Sequence, residues 1–67
     1  MDIRIKFGKR VRAKRLKKNI SQEALAHEAD SNRTYISDVE RGTRNPSIEV
    51  VERIAKALDV SMGELLD

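Results

Sequence analysis

An all-α fold of five short helices is predicted by three features of this sequence. Apolar residues return every three or four positions rather than every second one, most clearly along Ile48, Val51, Ile54, Ala55 and Leu58. A Ser or Asn stands where an N-cap is wanted before each of the last four segments, at Ser21, Asn32, Ser47 and Ser61. The connections between the segments are short and leave no room for a sheet. With 67 residues the chain is expected to form one domain over its whole length, because a chain this small buries only about 60% of the surface it exposes when unfolded.

The first helix, over residues 3–18, is rich in Lys, Arg, Leu and Ala and has no proline to interrupt it; Phe7, Val11 and Leu16 are expected on its apolar side. The second, over 21–29, begins at Ser21, carries Glu23 near its positive end and shows a narrow apolar stripe of Leu25, Ala26 and Ala29. Asp30-Ser31-Asn32 then favours a turn, with Asp30 able to take the left-handed conformation and Asn32 able to cap the next helix. In the third helix, 33–41, Ile36 and Val39 face inward while Thr34, Ser37, Asp38 and Arg41 face outward. Gly42 stops it, Thr43-Arg44-Asn45-Pro46 forms a loop, and the fourth helix, 47–58, carries the clearest stripe. Ser61 and Glu64 have capping-box spacing ahead of Leu65 and Leu66, which predicts a last single-turn helix over 61–66.

The net charge of +3 hides an uneven distribution: residues 1–18 hold nine Lys and Arg against the single acid Asp2, and the remainder holds five against ten. Such a basic end attracts polyanions, and nucleic acid ranks ahead of a membrane surface because aromatic anchors are lacking; a merely solvated helix face is the plainer alternative. The absence of cysteine excludes a disulfide framework and thiolate metal sites and points to the cytoplasm. No apolar run approaches the roughly 20 residues of a membrane span, and no signal-peptide core follows Met1. An enzyme is not expected. The lone His27 reads as a surface residue, there is no nucleophile and base pair, and none of the three glycines lies in a phosphate-cradling motif. One histidine with scattered carboxylates does not make a zinc site, so no metal, cofactor or small-molecule ligand is assigned.

Two short helices joined by a tight turn, the second apolar inside and polar outside, suit insertion of a recognition helix into the major groove, although helix pairs also build protein-interaction bundles. The runs Ser21-Gln22-Glu23-Ala24-Leu25-Ala26, Asn32-Arg33-Thr34-Tyr35-Ile36-Ser37, Glu40-Arg41-Gly42 and Pro46-Ser47 resemble the Cro and phage-repressor (Xre-type) helix-turn-helix family. The likeness extends over about residues 7 to 66, and Arg33 to Ser37 with Arg44-Asn45 most resembles the controller proteins of restriction-modification systems. It implies the compact five-helix fold of phage-repressor DNA-binding domains with a central helix-turn-helix. It further implies a transcriptional regulator that binds a palindromic operator as a homodimer, a phosphate contact from Gln22, and an ion pair between Arg15 and Glu40. Asp30 stands where this family commonly has glycine, which implies slight strain.

Among the outward residues, Arg33 is the best base reader, since its fork matches guanine O6 and N7, with a phosphate contact as the alternative. Thr34 suits a base edge or a thymine methyl, and Ser37 lies further along the same face. Asp38 could accept from cytosine N4 or instead orient Arg33 or Arg41. Tyr35 is assigned to a phosphate or in part to the core and Asn32 to the DNA backbone, and the resemblance implies that Gln22, Arg41, Arg44 and Asn45 also grip the sugar-phosphate backbone. Val60, Met62, Leu65 and Leu66 are the dimer candidates, with closure of the core as their other use. RNA polymerase is a further candidate partner. Two other readings stay open: an antitoxin-like or bridging protein-interaction module with secondary DNA binding, which an extra exposed apolar patch would favour, and one domain of a longer repressor, although no sensor domain is expected after Leu66.

Overall fold

The computed structural model describes residues 2–67. Its elements are α1 (Ile3–Lys17), α2 (Gln22–Glu28), α3 (Arg33–Arg41), α4 (Ile48–Leu58) and α5 (Met62–Leu66), with no strand among the described residues. Each helix begins on a side-chain cap. Asp2 accepts from the Arg4 amide, Ser21 from Ala24, Asn32 from Tyr35 at 2.8 Å, Ser47 from Val50, and Ser61 from Glu64, whose carboxylate returns the bond to the Ser61 amide. These caps satisfy amides that the first turn of a helix leaves without a backbone partner.

The first four helices also end alike. In each, the chain turns through a residue of positive φ, namely Asn19 (60°), Asp30 (55°), Gly42 (79°) and Asp59 (58°). The amide after it then reaches back to a last-turn carbonyl: Ile20 to Arg15, Ser31 to Ala26, Thr43 to Asp38 and Val60 to Ala55. This is the Schellman closure, used here four times with only one glycine.

The helices share one core made of Phe7, Val11, Leu25, Ala26, Ala29, Ile36, Val39, Val51, Ile54, Ala55, Ala57, Leu58 and Leu65. α1 packs on α3 and α5, and α2 packs on α3 and α4. Gly8 sets the approach of α1 to α3, because a β-carbon there would collide with the carbonyl oxygen of Val39 and lie 3.0 Å from that of Glu40. Across the other side, Arg53 Nε of α4 donates to the Ala29 carbonyl at the end of α2, 3.0 Å away.

Three apolar assignments need correction. Leu16 is 54% exposed, since nine residues after Phe7 is two and a half helical turns and places it on the opposite face; Arg15, four after Val11, takes the inward position. Ile48 is 74% exposed: it lies in line with Ala55 but at the first position of α4, beyond the edge of the core. Leu65 is wholly buried, so it closes the core of its own chain and has no surface left for a dimer contact.

Candidate nucleic-acid interface

The helix-turn-helix is α2, the turn Ala29–Asn32, and α3. Leu25, Ala26, Ile36 and Val39 bury the inner side of this pair, which leaves Arg33, Thr34 and Arg41 exposed and Ser37 and Asp38 half-buried on the outer side of α3. The turn is closed by the Ser31 amide on the Ala26 carbonyl at 2.8 Å and by the Asn32 cap. Asn32 thus positions the start of α3, and its remaining side-chain surface stays exposed.

α3 is anchored from behind by an ion pair. Arg15 Nε and Nη2 donate to Glu40 Oε2 and Oε1 at 2.7 and 3.0 Å, and its Nη1 donates to the Ile20 carbonyl at 3.0 Å. The two side chains are only 10% and 3% exposed. Hydrogen bonding to Glu40 raises the Arg15 pKa above its ordinary value, so the guanidinium stays charged. Gln22 Nε2 completes the cluster by donating to Glu40 Oε1 at 3.1 Å. The first residue of α2 is therefore held against α3, and in the unbound chain the Gln22 amide is occupied within the protein.

On the outer face, Asp38 pairs with Arg41 and, at 3.6 Å, with Arg44. Of the two arginines weighed for it in the sequence, Asp38 faces Arg41 and not Arg33. The hydrogen bond from Arg41, reinforced by both positive charges, holds its carboxyl below the usual range. The Arg44 guanidinium lies over the ring of Tyr35, 4.8 Å from its centroid, while the ring is half-buried against the core. Of the two uses weighed for Tyr35 the ring thus serves the core in part, and it adds a cation–π contact with Arg44. Thr43, which had no assigned role, donates its hydroxyl to the Asp38 carbonyl at 3.1 Å and ties the loop carrying Arg44 and Asn45 to α3. Only its position just beyond Gly42 hinted at this.

The basic first helix is partly structural. Arg10 Nη1 donates to the Glu64 carbonyl, Lys14 pairs with the Glu64 carboxylate, and Lys18 Nζ donates to the Ala57 carbonyl. With Arg4 on Asp2 and Arg15 on Glu40, intramolecular partners occupy five of the nine cations that suggested a polyanion site.

Near the loop after α3, Ile3, Phe7, Pro46, Val51 and Leu66 line a shallow cavity of about 70 Å³, well below the size of a ligand pocket. Ile3 and Ile48 are strongly exposed nearby. Of the dimer candidates, Leu66 reaches this patch, Val60 lies at the other end of α5 beside Lys17 and Lys18, and Met62 is half-buried. Among the described residues no group of His, Cys, Asp or Glu could hold a metal, and no helix is long and apolar enough to cross a membrane.

Comparison with known proteins gives a concordant result. The family model described as Helix-turn-helix matches residues 11–65. Control protein C.BamHI of Bacillus amyloliquefaciens is 58% identical over 67 residues, covering 98% of this chain and 83% of that one. Control protein C.MunI of Mycoplasma is 40% identical over 65 residues, covering 96% and 88%. Among solved structures, the restriction-modification controller protein C.AhdI from Aeromonas hydrophila superposes with a TM-score of 0.90 at 44% identity, covering 92% of this chain and 90% of that one.

Proposed function

The chain belongs to the helix-turn-helix family of DNA-binding transcription regulators, and from that premise we propose that two copies read a palindromic operator and control a restriction-modification locus. The observation that carries this reading is the outer face of α3, a polar surface made rigid by the buried Arg15–Glu40 pair and bordered by exposed apolar residues. In it Arg33 and Thr34 read bases, with Ser37 further along the groove. Gln22, Asn32, Tyr35, Arg41, Arg44 and Asn45 contact the sugar-phosphate backbone, and Gln22 exchanges its bond to Glu40 for a phosphate on binding. The protein acts on DNA in the cytoplasm, RNA polymerase being a second partner where the operator adjoins a promoter.

The second copy docks on Ile3, Pro46, Ile48 and Leu66. Pro46 and Ile48 come directly after the Arg44-Asn45 loop, so pairing there sets the two α3 helices side by side. Successive major grooves on one face of B-DNA recur about every 34 Å, which is the separation the pair must span. Leu66 is common to this surface and to the sequence-based expectation, Leu65 is buried, and Val60 and Met62, both half-buried, lie outside the cavity that Leu66 lines.

Selection of bound duplexes from random DNA, with the oligomeric state measured in parallel, tests the reading. The expected result is a two-fold symmetric motif with half-sites one helical turn apart, bound by a dimer. Salt-sensitive binding with no common motif would overturn it and favour a protein-interaction module using the same apolar patch.

A further inference from the structure

An aspartate in the middle of a DNA-facing helix is costly for phosphate binding, yet Asp38 stands one turn after Thr34 on that face. Its carboxylate is the least exposed part of a three-residue cluster, at 20% against 67% for Arg41 and 50% for Arg44. The loop that brings Arg44 back to it is fastened to the Asp38 residue itself, since the Thr43 amide and hydroxyl both donate to the Asp38 carbonyl, at 3.0 and 3.1 Å. The backbone, the loop and two guanidinium groups therefore converge on one anion, and both cations are ones assigned above to the DNA backbone.

We propose that Asp38 is a specificity-determining residue that acts as an internal stand-in for a DNA phosphate, holding Arg41 and Arg44 until the correct sequence is bound. On an arbitrary duplex, moving these arginines from Asp38 to phosphates exchanges one set of charge-assisted hydrogen bonds for another. It also leaves the carboxylate without partners close to a polyanion. On the operator, α3 seats fully in the major groove, where an exocyclic amino group such as cytosine N4 can donate to the freed carboxylate. Asp38 thus weakens binding to every sequence, and least to the operator, which widens the difference on which discrimination depends. The inference rests on α3 being the DNA-reading helix.

The test uses Asp38→Asn, which keeps the shape and removes the charge. Affinities are measured at several salt concentrations on the duplex recovered by selection and on a scrambled duplex of equal length. Binding to the scrambled duplex is expected to tighten on the order of tenfold, with the slope of log affinity against log salt steepening by about 1 to 2 as the two arginines gain phosphates. Operator affinity changes less, so the specificity ratio falls. In an Arg41→Gln, Arg44→Gln background the same substitution should leave the salt slope unaltered.

Glu52→Gln, a charge change on the exposed side of α4, controls for net charge. The inference is overturned if Asp38→Asn leaves the scrambled duplex unaffected, or if it tightens both duplexes equally and no more than Glu52→Gln does. Arg33→Ala, measured alongside, separates the two levels. Lost discrimination in Arg33→Ala with no effect of Asp38→Asn overturns this inference alone, whereas an Arg33→Ala protein that still discriminates as the unsubstituted chain does overturns the reading beneath it.

Discussion

At the scale of single residues, the turn between α2 and α3 depends on Asp30 at φ 55°, a conformation that costs an L-residue energy and a glycine almost none. The closure of the turn is made by backbone groups, and among the described residues the exposed Asp30 side chain forms no hydrogen bond that offsets that cost. Asp30→Gly should therefore stabilise the protein by about 0.5 to 1 kcal/mol, raising Tm by about 2 to 8 °C with DNA affinity unchanged. A lower Tm in a thermal melt monitored by circular dichroism would show that the carboxylate contributes something the backbone account omits. The arginines divide by what they reach. Arg33, exposed at the first position of α3, should on change to Ala lose about 1 to 3 kcal/mol at one base pair and relax discrimination there. Arg44→Ala should weaken the operator and its single-base variants by a common factor and flatten the salt slope there by about 1, with a smaller effect on scrambled DNA, where Asp38 retains the arginine. Binding isotherms on single-base variants of the operator check both, and equal losses everywhere for Arg33→Ala would move it to a phosphate and remove the base reading on which the proposed function rests.

Between elements, the Arg15–Glu40 pair joins α1 to α3 in a site from which water is largely excluded. Removing one partner leaves a buried charge, so Glu40→Ala should cost about 3 to 5 kcal/mol, whereas Arg15→Met with Glu40→Leu should recover most of it. Urea denaturation checks this; a loss below about 1 kcal/mol in Glu40→Ala would mean that solvent screens the pair. The contrast also shows which parts of the fold were legible in the sequence. Helix starts and ends were, because a Ser or Asn cap and a turn-forming Asp or Gly act within a few residues: all five helices fall within a residue or so of the expected bounds. The ion pair was legible only through family resemblance, since its partners lie 25 residues apart and each alone is an ordinary charged residue. Leu16, Ile48 and Leu65 were misplaced for a related reason: burial depends on what another helix covers, and periodicity does not record where the core ends. At the interface, the outward residues of α3 came from helical geometry, but the choice of Arg41 and Arg44 as partners of Asp38 depends on the loop tied down by Thr43.

For the molecule as a whole, positive charge is divided between two uses, and the basic end that first pointed to DNA serves mainly the first. Arg10 and Lys14 of α1 and Lys18 just beyond it, at four-residue intervals, grip Glu64 of α5 and the end of α4, while Arg33, Arg41 and Arg44 form the exposed positive face. Positive charge thus serves cohesion on one side and is offered to a ligand on the other, and neither use accounts for the apolar surface at Ile3, Pro46, Ile48 and Leu66. A single copy gains nothing from leaving Ile48 74% exposed, whereas the proposed pairing of two copies there would bury it and fix the spacing of the two α3 helices. Ile48→Glu should therefore separate assembly from folding. The new carboxylate sits at the positive end of α4, where the helix dipole favours it, and because the isoleucine makes little contact with the core the melting temperature should hold. Two like charges facing each other across the symmetry axis should weaken the dimer by about a hundredfold or more, a shift of about 2.7 kcal/mol, read by sedimentation equilibrium. Binding to an isolated half-site should persist while binding to the full palindrome falls toward it. A variant that remains dimeric would place the interface away from Ile48, and one that is monomeric yet binds the palindrome undiminished would show that the two copies meet only through the DNA.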